Sequence, residues 1–390
     1  MHRKNEVKSC TARARERGIE LSAPFGVPVA GVGRILTCIV LITALLFTAK
    51  AQDSTVSHGP YFYKGLDYGS QSTFNPITVI INGGFDMLQV GNNRDVTKIP
   101  WSKSFSNVMA NFANPIKPIN NYGWWNFMQD QVIPISLRQK DGQWWPNYTL
   151  HLVGGGMEYA MTKEWYEYHN FEYPTFYAVM TMASYHMINE ITENLDLQGD
   201  NVDPIADLWL FDAGGIVLFS FDNVKRFFSE DLNLTDWSTQ PSFSLKDGRL
   251  HNVGQYFSIK WKLPFSDKWH LFYYFGLNGL GGLSYKRDDG SSISVGVGFK
   301  TKDLIDLDKA KNKKTVELVP NMGFFYDVNN SLMASVSLSA KTDYVIQANL
   351  YPGLVKIGRF SPGFWCAITK SGGPILGLTA AMAPVNIAYP

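Results

Sequence analysis

The sequence predicts an α+β protein: an antiparallel outer-membrane β-barrel of about eight or more strands with an inserted multi-helix unit. Three observations predict it. From Asn252 onward, apolar residues alternate with small or polar ones at a period of two. Between Trp144 and Phe228 the pattern is helical instead, and this stretch holds the acidic, His and Gly residues that stand out as candidate signals. Near the amino terminus, a basic residue, an apolar run and a small-x-small site have the form of an export signal.

Composition agrees without deciding. The 390 residues carry 35 basic and 34 acidic side chains, so charge gives no reason to expect nucleic acid as a partner. Charged residues make up only 18% and aromatics 14%, a balance that suits a membrane β protein and equally a soluble protein with a bulky core. Of the cysteines Cys10, Cys38 and Cys366, the first two precede the expected cleavage point, so no disulfide is expected. Thr37 before Cys38 stands where a lipidation signal wants Gly, Ala or Ser.

Taken in order, residues 1–51 are read as a signal peptide with an upstream segment. Arg34 is followed by ILTCIVLITALLF and then by Ala49-Lys50-Ala51, which places cleavage after Ala51 and Gln52 first. That run falls short of the roughly 20 apolar residues a spanning helix needs. Met1 to Gly33 is basic and aperiodic, which suggests a misassigned start; finding Met1 in the precursor by N-terminal sequencing would reject that. Residues 52–143 are expected to be irregular, with an apolar segment from Pro76 whose length leaves helix and strand both open. Turns are expected at Asn114-Pro115 and Lys117-Pro118. The pairs Trp124-Trp125 and Trp144-Trp145 suit either a membrane interface or packing on helices.

Residues 144–246 form the predicted helical unit. His186, Asn189, Glu190 and Glu193 follow i, i+3, i+4, i+7 and share one helix face, opposite Tyr177, Met180, Ala183, Met187 and Ile191. Asp203 is the expected N-cap of the next helix, with Pro204 at its first position and Asp207 one turn on. Gly214 and Gly215 would admit a close neighbour.

Residues 247–383 are predicted strands and 384–390 a tail. Phe257, Ile259, Trp261 and Leu263 alternate with Ser258, Lys260 and Lys262; Ile293, Val295, Val297 and Phe299 alternate with Ser294, Gly296, Gly298 and Lys300; Leu332, Ala334, Val336 and Leu338 alternate with Met333, Ser335, Ser337 and Ser339. Further strands are read at 270–277, 316–326, 344–351, 364–369 and 375–382. A soluble sandwich would also alternate, with more charge on its outer face. The helical unit could plug the barrel, cap it from the periplasm or lie in the inner leaflet.

The blocks GLDYGSQSTFNPITVIINGGFDMLQ, PNYTLHLVGGGMEYAMTKEWY, ASYHMINEITEN and DPIADLWLFDAGGIVLFSFDNVKRFFS resemble an uncharacterised family of outer-membrane proteins from Bacteroidota, with no assigned activity. More distantly, His151, then Glu190 and Glu193, then Asp207 with Gly214 and Gly215, is similar in order to VanZ-like membrane proteins.

Imidazole and carboxylate one turn apart can bind a metal or exchange a proton. Glu190 or Glu193 would then be the base, His186 or His151 its partner, and Asp207 an orienting group or metal ligand. The structural alternative is a buried polar network that ties two helices together. HExxH, a phosphate loop and Gly-x-Ser-x-Gly are absent, and Gly154-Gly155-Gly156 lacks the spacing of a phosphate cradle. No organic cofactor is expected, and a metal is left open. The reading preferred from sequence is a non-enzymatic barrel with a helical plug or docking unit, serving envelope assembly or the passage of small or lipid-like molecules. The alternative is a lipid-directed enzyme. Expected partners are outer-membrane lipid and an envelope protein.

Overall fold

The computed structural model describes residues 59–91, 95–133, 144–195, 197–308, 313–339, 342–358 and 360–390, with the side chains of 306–308, 313 and 314 excepted. The expected export signal, its expected cleavage site and the segment upstream lie outside these residues.

The segment from Pro76, open between helix and strand, is a helix, and its start shows why. The Asn75 side chain accepts from the backbone N–H groups of Ile77 and Thr78 at 3.1 and 3.0 Å, and Pro76 fills the first helical position. The described part of 52–143 is largely helical rather than irregular: α1 (Gly69–Thr73), α2 (Pro76–Gly84), α3 (Trp101–Ala113), α4 (Ile116–Tyr122) and α5 (Trp124–Phe127). Of the two expected turns, Asn114-Pro115 lies in the break between α3 and α4, whereas Lys117-Pro118 falls within the first turn of α4, where proline is tolerated. The unit then continues through α6 (Trp144–Pro146), α7 (Gly156–Tyr168), α8 (Pro174–Asn194), α9 (Asp203–Ala206), α10 (Ala213–Leu218) and α11 (Asp222–Arg226). Wider π-helical turns at Asn147–Gly155 and Asp207–Asp212 join α6 to α7 and α9 to α10.

Two anchors hold the unit together. Asn189 and Thr192 of α8 donate to the carbonyls of Gly83 and Gly84 at 2.9 and 3.1 Å, which clamps α2 along α8. The Glu164 carboxylate on α7 accepts three successive backbone N–H groups, from Tyr61 at 2.9 Å and from Phe62 and Tyr63 at 2.8 Å.

Thirteen strands form one sheet. They are β1 (Thr235–Asp236), β2 (Ser242–Ser244), β3 (Arg249–His251), β4 (Phe257–Lys262), β5 (Trp269–Phe275), β6 (Asn278–Lys286), β7 (Ser291–Asp308), β8 (Lys313–Val328), β9 (Ser331–Ser339), β10 (Tyr344–Leu350), β11 (Pro362–Thr369), β12 (Pro374–Ala380) and β13 (Asn386–Tyr389). Their order is β1-β4-β5-β6-β7-β8-β9-β10-β11-β12-β13-β2-β3, so the ladder ends on β1 and β3. Neighbours are antiparallel except β13 and β2, which pair in parallel through Asn386 with Ser242 and Ile387 with Phe243. Strands therefore begin at Thr235, inside the stretch expected to be helical, because pieces of two or three residues show no period. The expected tail is β13.

On β7 the two faces are as the alternation predicts, whereas Phe257 and Leu332, expected on the apolar outer face, are buried and Lys262, expected on the other face, is exposed. Ile293, Val295, Val297 and Phe299 are exposed by 41, 37, 54 and 54%, whereas Ser292, Ser294 and Gly296 between them are buried. The buried face is not open space. Trp237, Tyr256, Phe272, Tyr274, Leu280, Phe325, Leu332 and Tyr351 pack on it as one cluster. Lys260 reaches Asp327 there at 2.7 Å and lies over the Trp237 ring. A Cβ added to Gly296 would sit 3.0 Å from the Leu280 Cβ, so even this glycine is packed.

Candidate functional site

Two π-helical turns and α8 bring the site together. A π turn holds about 4.4 residues, so positions five apart come back to nearly the same side, which an α-helix would splay. Asp207 and Asp212 open and close such a turn, and both face His151, which sits in the other. His151 Nδ1 lies 2.9 Å from Asp212 Oδ1, and its Nε2 lies 3.6 Å from Asp207 Oδ2. From α8, His186 places Nδ1 3.2 Å from the same Asp212 oxygen, with its ring centroid 5.2 Å from that of His151. Glu190, one turn further, joins His151 and Asp207 in a second group whose donor atoms all lie within 4.8 Å of one another.

The expected residues His151, His186, Glu190 and Asp207 thus meet. Glu193 lines the adjoining cavity, and Asn189 is diverted to the Gly83 carbonyl. Asp203 begins α9 and supplies negative charge beside Glu190 and Asp207. Asp212 was missed from sequence, since under α-helical periodicity it faces away from Asp207. Tyr185 was also missed; its ring packs against His186 with centroids 3.8 Å apart. Ser184 is half-buried and donates to the Met180 carbonyl at 2.7 Å, so it forms no dyad with His186.

Gly215 allows this assembly. A Cβ there would meet the Leu152 carbonyl oxygen at 2.6 Å, so only glycine lets α10 approach the turn carrying His151 so closely.

The electrostatics follow from burial. His186 is 3% exposed and Glu190 2%. Burial pulls the His151 imidazole down, but the charge and hydrogen bond of Asp212, with Glu190 and Glu193, outweigh it and raise the group to about 9. Burial and the neighbouring His151 hold His186 well below its ordinary value. Burial first, then repulsion from Asp207, Asp203 and Glu193, pushes Glu190 well above the carboxylate range; Asp207 is raised by burial and by Asp203, Asp212 and Glu193. One ring therefore carries charge while the other is neutral, a division suited to proton exchange.

Several polar atoms here make no hydrogen bond among the described residues: both ring nitrogens of His186, Asp207 Oδ1 and Asp212 Oδ2. The 3.2 Å contact of His186 with Asp212 is close enough for an ion pair but is not aligned as a hydrogen bond. The donor set can also hold a metal, through His151, His186 and Asp212 or through His151, Glu190 and Asp207.

The cluster opens into a cavity of about 470 Å³. Its helical wall includes His151, His186 and Asp207; its sheet wall includes Phe299, Leu304 and Leu318. Phe299 belongs to the exposed apolar face of β7, and the pairing of Thr301 with Leu318 and Leu304 with Val316 continues that face onto β8. Among the described residues no single helix is long and apolar enough to cross a membrane; the pair 203–218 and 222–231, bent by 86°, passes that test only jointly.

No family model, curated protein or solved structure matches the chain.

Proposed function

We propose that this protein is an outer-membrane β-barrel carrying a lipid-directed enzyme on its lipid-facing wall. Closure of the sheet is supported by the tracts 235–244 and 249–258. β1 pairs with β4 and β2 with β3, and between them Trp237 N–H donates to Tyr256 O at 2.8 Å and Thr239 N–H to Gly254 O at 3.0 Å. One continuous pair of strands, interrupted in its ladder, would then join β13 back to β5. A membrane setting is supported by reversed amphipathicity. The sheet exposes Val297 and Phe299 and buries serines, while α8 exposes Tyr177 and Met180 by 37 and 38% and buries His186 and Glu190. In water such surfaces would be a liability; in hydrocarbon the apolar face is the solvated one.

The observation that carries the enzymatic reading is His186, buried with neither ring nitrogen hydrogen-bonded, at the head of a cavity whose far wall is apolar sheet surface. A network kept only for stability closes its hydrogen bonds, because an orphaned buried donor or acceptor costs about 1 to 3 kcal/mol. Acyl chains would lie along Phe299, Leu304 and Leu318, which brings the polar part of the lipid to the two imidazoles. His151, His186 and Asp212 would meet the polar part of the lipid, Asp207 would orient His151, and Glu190, whose carboxyl burial holds well above the ordinary range, would give and take the proton. The non-enzymatic reading preferred from sequence loses ground on two counts: the cluster is incompletely bonded, and the inner face of the sheet is filled by its own aromatic side chains.

The test is complementation of a deletion strain with Glu190→Gln, scored beside the amount of folded protein and the lipid profile of the envelope by mass spectrometry. The expected result is a folded protein that restores neither the phenotype nor the lipid species altered in the deletion strain. Restoration of both by Glu190→Gln would return the cluster to a structural role.

A further inference from the structure

We infer that His151, His186 and Asp212 hold one divalent transition-metal ion of the zinc class at the head of the cavity, with His151 turning Nδ1 to the ion and its Nε2–H toward Asp207.

The chemistry of the donors points to this class. Two imidazoles and one carboxylate, with further space beside them, match a zinc site that keeps a position open for water or substrate. A hard ion such as magnesium or calcium would ask for more oxygens. The spacing agrees. Donors bound at about 2.0 to 2.1 Å around a tetrahedral ion stand about 3.3 Å apart, and the structure places His151 Nδ1 and His186 Nδ1 at 2.9 and 3.2 Å from Asp212 Oδ1. The unpartnered atoms agree independently: His186 Nδ1 and Asp212 Oδ2 are buried and lack hydrogen bonds among the described residues.

His151 Nδ1 now makes a 2.9 Å hydrogen bond to Asp212 Oδ1, and the ion would take the place of its proton between the two atoms. The second nitrogen, Nε2, stands 3.6 Å from Asp207 Oδ2, and a small turn of the ring would bring it to that supporting carboxylate. The two possible donor groups share this histidine, so they describe one ion and its supporting carboxylates rather than two ions. Glu190 belongs with Asp207 on the supporting side. Gly155 sets the fit from behind, since a Cβ there would stand 3.2 Å from His186 Nε2. The position left open faces the cavity, which rests on the lipid-directed reading above and makes the ion the group that would meet the polar part of the lipid.

The test uses full-length protein without a histidine tag, folded in detergent, stripped with chelator and reloaded with zinc, with bound metal measured by elemental analysis. One zinc per chain is expected, falling at least tenfold in His186→Gln and in Asp212→Asn and unchanged in Glu172→Gln, an exposed residue away from the cluster. Folded wild type that takes up less than a tenth of an equivalent overturns the inference, as does full stoichiometry in both ligand variants. Should the variants fail to fold, X-ray absorption of cobalt-loaded wild type decides. Scattering from two imidazoles is expected, and its absence overturns the assignment. The two readings fail separately: a metal-free wild type whose Glu190→Gln variant still loses its role removes the ion alone, whereas one zinc per chain with that role intact removes the enzyme alone.

Discussion

The buried charges of the sheet and those of the helical unit solve the same problem differently. On the sheet, Lys260 and Asp327 face each other at 2.7 Å, the Asn330 N–H donates to the same Asp327 oxygen, and Trp237 covers the ammonium. Here one charge meets its opposite, and aromatic side chains fill the space around the pair. In the helical unit, three carboxylates share two imidazoles, several atoms stay unbonded, and a cavity adjoins them. Unbonded atoms occur in both places, Asp327 Oδ2 among them, so what separates the two is that the sheet pair is neutralised and walled in, whereas the helical cluster has an excess of carboxylates and a cavity beside it.

Three tests, on the sheet pair, on Asp86 and on the two faces of β7, sharpen that contrast. The largest effect is expected for Lys260→Met, which strands Asp327 without its partner and should cost about 3 to 5 kcal/mol. Its measure is loss of heat-modifiable migration on gels, and an unchanged folded yield would mean that the pair is not a closed unit. Asp86 lies between the two cases. Burial raises its carboxyl from 3.8 to about 7, against hydrogen bonds from the Gln255 N–H and Gln89 and the charge of Lys300. Because the folded form holds this proton up to about pH 7 and the unfolded chain gives it up near 3.8, stability falls as pH rises through that window, by about 4 kcal/mol at most. Asp86→Asn should lose this share of the fall, read as a smaller pH dependence of the urea midpoint in detergent; an identical slope would place Asp86 in water. The smallest effect separates the two faces of β7. Val295→Arg should cost about 2 to 4 kcal/mol on insertion, and Ser294→Ala, which removes a 2.8 Å hydrogen bond to Ser284, about 0.5 to 1.5 kcal/mol. Equal losses in folded membrane protein would mean that the facing is wrong. Gly296→Ser, which from sequence alone would be the mild control, is expected to cost more because Leu280 already occupies its space.

The parts of the fold that were legible in sequence are those with a sustained period. The alternation from Ile293 to Phe299 correctly separated exposed from buried residues, and the stripe on α8 correctly brought His186 and Glu190 to one side. Short strands such as β1 and β2 have no period to read, and Lys117-Pro118 in the first turn of α4 looks like a turn of its own until the helix around it is known. Asp212 was hidden for a geometric reason. Five residues after Asp207 is the wrong side of an α-helix and the right side of a π turn, so a search at both periods would have found it. The inner aromatic cluster draws on β5, β6, β8 and β9 and on residues between strands, a convergence that local pattern cannot express.

The grip of Glu164 on Tyr61, Phe62 and Tyr63 has a bearing on the order of events as the chain matures. Three consecutive amides close onto one carboxylate about a hundred residues later, so the early segment has no seat until α7 exists and has docked. The loop so closed is long and its entropic cost grows only slowly with length, which makes this a late step without making it a weak one. The segment would therefore act as a latch, its resistance to protease rising only once the helices behind it have come to rest.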